Sequence, residues 1–60
     1  MPDTIAEIGR KHNTSIAYIA HWLTRGQGME MQTIDDAAEA KAVAHANIDK
    51  QADYYQERSA

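Results

Sequence analysis

The run TIAEIGRKHNTSIAYIAHWL, residues 4–23, holds two helix starts with a turn residue between them, which commits the chain to two helices meeting at a corner. Thr4 followed three positions later by Glu7 is a capping box, in which the hydroxyl and the carboxylate satisfy orphan backbone donors at a helix start. A first helix is expected over about 4–12. Asn13 stands where the chain must turn, and its short amide side chain tolerates left-handed backbone better than most residues other than glycine. Thr14 or Ser15 then caps a second helix, on which Ile16, Ile19, Trp22 and Leu23 recur at helical spacing. Gly26 and Gly28 punctuate the next segment, so that helix is expected to end before Gly26 and residues 26–32 to form a hinge.

Beyond the hinge, Thr33 is placed to cap a third helix whose first turn carries Asp35 and Asp36, where acids suit the positive end of the helix dipole. Residues 33–58 contain neither Pro nor Gly and are rich in Ala, which predicts one long acidic amphipathic helix. On a helical wheel Ile34, Ala37, Ala38, Lys41, Ala44, His45, Ile48, Ala52 and Tyr55 share a broad face. Near the opposite side Asp35, Glu39, Asp49, Asp53 and Glu57 line up as an acidic stripe. All elements are helical, so the fold class is all-α.

Sixty residues make a single small domain, and a chain this short buries only about 60% of its unfolded surface. With no cysteine there is neither a disulfide nor a thiolate metal site to reinforce the core. Association of two copies is the expected remedy, with Ile34, Ala38, Ile48, Ala52 and Tyr55 as the dimer interface. No apolar run approaches the roughly 20 residues of a membrane span and no secretory signal is evident, so a cytoplasmic location is expected. His12, His21 and His45 lack the spacing of convergent metal ligands, and no nucleophile–base pair or paired carboxylates suggest catalysis. An enzyme, a metal and a cofactor are therefore not expected.

The corner carries a resemblance. Gly9 provides the small residue midway along the first helix, Asn13 the turn residue four positions on, Ser15 the polar cap, and Ile19 and Trp22 the core positions of the second helix. Residues 4–23, and the run Ile5 to Arg10 in particular, resemble the helix-turn-helix of sigma-factor region 4 and of small phage and plasmid repressors. The family usually has apolar residues on either side of the turn position, where this chain has His12 and Thr14. The resemblance implies a helix-turn-helix over 1–25 and a small DNA-binding regulator that places two corners about 34 Å apart on a duplex. Its contacts with duplex DNA would come from Arg10, Lys11, Ser15, Ile16, Ala17, His21, Thr24 and Arg25.

Charge and surface chemistry supply a competing reading. The net charge is −3, with residues 1–29 at +1 and residues 30–60 at −4. A phosphate-binding surface is built from Lys and Arg, which this chain has in short supply. The alternative is a protein-binding module or inhibitor, in which Ile16 and Tyr18 contact a partner and Asp35, Glu39, Asp49 and Asp53 complement a basic surface on it.

Overall fold

The computed structural model describes residues 3–59, which form four helices and no strand: α1 (Ile5–Lys11), α2 (Ile16–Glu30), α3 (Ala37–Lys50) and α4 (Tyr54–Ser59). The all-α expectation holds for these residues, and Met1 and Pro2 of the 1–25 segment lie outside them. α2 is the central helix. It packs most extensively on α3 and also touches α1 and α4.

The core is small and comes from all four helices. Ile8 of α1, Ile19 and Leu23 of α2, Ala44 and Ile48 of α3 and Tyr55 of α4 form one buried cluster. Ile5, Tyr18, Trp22, Met29, Ala52 and Tyr54 pack around it. Ala40 and Ala44, both fully buried, present no more than a methyl group and so allow close packing within the core. The broad face expected to pair with a second copy is thus partly spent inside one chain. Ile48 is fully buried and Tyr55 is 1% exposed, and Ala52 and Ile34 are half-buried. Of the five residues assigned to a dimer interface, only Ala38 is exposed.

Three boundaries differ from expectation. The first is the hinge: α2 continues through Gly26 and Gly28 to Glu30, and the chain leaves helical geometry only after Met31. Two glycines cost a helix interior about 1 kcal/mol each, but this half of α2 is held by burial. A methyl group at Gly26 would lie 2.5 Å from the Tyr55 ring, so the missing side chain is what lets that ring press against the helix.

The second difference is the start of α3. Asp36 is its cap, accepting from the backbone N–H groups of Ala38 at 2.9 Å and Glu39 at 3.4 Å. The Thr33 hydroxyl instead donates to the Glu30 carbonyl at 3.3 Å, closing the end of α2. The Asp36 carboxylate, read from the sequence as a first-turn residue, suits the positive helix end better than the Thr33 hydroxyl.

The third is the expected single helix over 33–58, which is broken at Gln51–Asp53. Gln51 has extended backbone (φ −149°, ψ 106°) and α4 then restarts at Tyr54. Helix propensity favours continuation here, so the break is a tertiary effect. Only a folded-back α4 brings Tyr55 against Gly26. The Gln51 amide supports the bend by donating to Asp53 at 3.0 Å and to Glu57 at 3.1 Å.

Candidate nucleic-acid interface

The corner between α1 and α2 is set by local chemistry. The Glu7 N–H donates to the Thr4 hydroxyl at 3.2 Å and the Thr4 N–H to the Glu7 carboxylate at 2.9 Å, completing the capping box. Asn13 has φ 56°, and no other non-glycine residue among those described has positive φ. The left-handed residue turns the chain so that the Thr14 N–H donates to the Gly9 carbonyl at 2.8 Å. A methyl group at Gly9 would come within 3.0 Å of the Thr14 carbonyl oxygen, so the small residue keeps the corner tight. Ser15 then caps α2, its hydroxyl accepting from the Tyr18 N–H at 3.0 Å.

The start of α2 faces outward. Ser15, Ile16, Ala17, His21, Thr24 and Arg25 are exposed, Ala20 and Tyr18 are half-buried, and Ile16 keeps 58% of its surface in solvent. Trp22, a core position by resemblance, does not point fully inward. It is half-buried against the core, and its indole also takes the edge of the His21 ring at 5.0 Å and the Arg25 guanidinium at 5.9 Å. The Thr24 hydroxyl donates to the Ala20 carbonyl at 3.2 Å. Arg25 also borders an open groove of about 330 Å³ with Gly28, Met29 and Gln32. Arg10 is exposed, and among the described residues neither arginine makes an ion pair.

Lys11 is differently placed. Its ammonium donates to Asp3 at 3.0 Å and also to Asp49 of α3. These hydrogen bonds, to Asp49 first and to Asp3 second, raise the Lys11 ammonium above its ordinary value, and Lys11 in turn lowers the Asp3 carboxyl. His12, the next residue, donates from Nε2 to the Asp49 backbone carbonyl at 2.7 Å. Because a carbonyl oxygen can only accept, this bond fixes the imidazole with a proton on Nε2. Two adjacent residues at the end of α1 therefore grip one residue near the end of α3.

The acidic stripe is not one continuous solvated row. Asp49 is held by Lys11, Asp53 and Glu57 receive the Gln51 amide, and Asp35 and Glu39 are exposed near the start of α3. Tyr18 reaches α4, its hydroxyl donating to Gln56, and burial together with the nearby Asp53 charge raises its hydroxyl above the ordinary value. Among the partner-binding candidates, Asp49 and Tyr18 are thus engaged within the chain, whereas Ile16 stands open.

Several structural partners gave little sign of themselves in the sequence. Tyr55 donates to Glu30 at 2.8 Å and accepts from Asn47 at 2.9 Å. His45 Nε2 is buried without a hydrogen-bond partner among the described residues. For His12 there was a signal: a polar residue stands where the resembling family is apolar, and it is used for a polar contact to another helix. Among the described residues no three His, Asp, Glu or Cys side chains are grouped to hold a metal ion, and no helix is long and apolar enough to cross a membrane. Comparison with protein-family models, curated proteins and solved structures finds no match.

Proposed function

We propose that this protein is a small DNA-binding regulator that lays the first half of α2 in the major groove. The observation that carries this reading is the exposed row on α2 immediately after a tight left-handed corner. Ser15 and His21 offer hydrogen-bonding groups to base edges, and Ile16 and Ala17 offer apolar contact to thymine methyl groups. Arg10 and Arg25, without ion pairs among the described residues, are available to phosphates. With two such cations per chain, binding rests on few phosphate contacts and falls away as salt rises. In a mobility-shift assay at about 50 mM salt, a random-sequence duplex should be retarded, and Arg25→Gln should weaken binding by about tenfold while lowering the salt slope by about one. Failure to retard any duplex at that salt rejects the reading.

A second reading has its own support. Ile16, Ala17 and Ala20 make an apolar strip along α2, and Asp53 lies close enough to Tyr18 to affect its hydroxyl. An apolar strip on the same helix as Tyr18, which has the Asp53 carboxylate nearby, suits a protein partner with a basic surface. Ile16→Asp would weaken either kind of binding, whereas Arg10→Gln with Arg25→Gln would weaken only DNA binding. The pair of variants separates the two.

A further inference from the structure

We infer that Asp3 and Asp49 form a built-in brake on DNA binding, occupying the Lys11 ammonium in place of a backbone phosphate. The inference rests on the DNA-binding reading and concerns its regulation. Lys11 closes α1 beside the corner, and an ammonium there would be a third phosphate contact after Arg10 and Arg25. Two of its three donors are instead directed at carboxylates.

The arrangement differs from a chance surface pair in how Asp49 is held. The His12 bond to the Asp49 carbonyl, at 2.7 Å and half-buried, fixes the backbone that carries the carboxylate. The carboxylate is thereby presented from a backbone that is tied to the end of α1. Asp3 adds a second carboxylate from the other end of α1. Together the two carboxylates more than offset the single positive charge of Lys11.

The brake is releasable. The side chains keep 48% (Lys11), 35% (Asp3) and 30% (Asp49) of their surface exposed, so water and salt screen the pairs. A basic group that draws Asp49 away would free Lys11. Affinity would then rise without any change in the exposed row of α2.

Four chains test this on a random-sequence duplex, followed by fluorescence anisotropy from about 50 to 200 mM salt: the wild type, Asp3→Asn, Asp3→Asn with Asp49→Asn, and that double variant with Lys11→Gln added. The double variant should bind about tenfold more tightly than wild type at the lowest salt, with a salt slope steeper by about one. Adding Lys11→Gln should return both to wild-type values. Asp3→Asn alone should move affinity the same way by a smaller factor, and because Asp3 precedes α1 it reports even where a thermal melt shows the double variant destabilised. Equal slopes for wild type and double variant overturn the brake and leave the DNA reading standing. A gain that survives Lys11→Gln also overturns it, since that gain belongs to net charge alone. Absence of binding by all four chains overturns the DNA reading itself.

Discussion

A methyl group added at Gly26 would meet three atoms of the Tyr55 ring between 2.5 and 2.9 Å away, whereas one added at Gly28 would meet nothing within 4 Å. The two glycines share a helix and a backbone conformation, so they separate packing from propensity. At Gly28 only propensity acts, and Gly28→Ala should stabilise the fold by about 0.4–1 kcal/mol. At Gly26 the same gain is opposed by overpacking, which costs about 1–3 kcal/mol in a filled core. The Tyr55 ring cannot easily move aside, because its hydroxyl is held by Glu30 and Asn47. Gly26→Ala should therefore lower the urea midpoint while Gly28→Ala raises it. A rise for both would mean that Tyr55 does not occupy the gap. The sequence marks both positions identically as glycine, and nothing local tells which is a packing surface.

At the scale of elements, the legible parts are those decided within a few residues. The Thr4 box, the left-handed Asn13 and the Ser15 cap are interactions over at most three or four positions, and all are present. The illegible parts depend on distant contacts. Helical periodicity puts Ile48 and Tyr55 on one face, but α4 folds back because Tyr55 is received by α2, 29 positions earlier at Gly26. That anchor has a pH signature. Burial, then the Glu30 carboxylate, pushes the Tyr55 hydroxyl from 10.0 up to about 12. A folded-state value above the unfolded one means the native chain keeps its proton longer, so the contribution is complete below pH 10 and is lost as pH climbs towards about 12. Tyr18 is shifted in the same direction and adds to the loss. Denaturation followed from about pH 9 to 11.5 should show stability falling, and Tyr55→Phe should flatten that slope. At neutral pH the same variant should cost about 1–2 kcal/mol, because Glu30 and Asn47 lose a partner. An unchanged alkaline slope in Tyr55→Phe would assign the titration elsewhere.

For the whole molecule, composition correctly warned of a small core but not of how the chain completes it. The apolar face of the C-terminal segment has two possible partners, its own α2 or a second copy, and the wheel is the same for both. Folding back at Gln51–Asp53 chooses α2, burying Ile48 and Tyr55 within one chain. Charge was similarly ambiguous: the sequence lines the carboxylates up as one stripe, yet Asp49 crosses to Lys11 and neutralises it within the chain. Dimerisation through Ile48 and Tyr55 would now require α3 and α4 to separate from α2, exposing the side chains that hold the monomer together. The large hydrophobics left in solvent, Ile16 at 58% and Met31 at 44%, lie near opposite ends of α2 rather than as one contiguous patch. In the absence of DNA, sedimentation equilibrium should therefore return the single-chain mass of 6.7 kDa. The thermal midpoint should also stay constant over a roughly fiftyfold range of protein concentration, because only a folding equilibrium that includes association shifts with concentration. A doubled mass with a midpoint that rises on concentration would show that the C-terminal face prefers a second copy. It would also restore the paired corners, about 34 Å apart, that a dimeric operator requires. A single-chain mass instead leaves one corner per molecule, and on the proposed DNA-binding reading its two or three phosphate contacts predict weak binding with a shallow salt slope, steeper by about one when Lys11 is released.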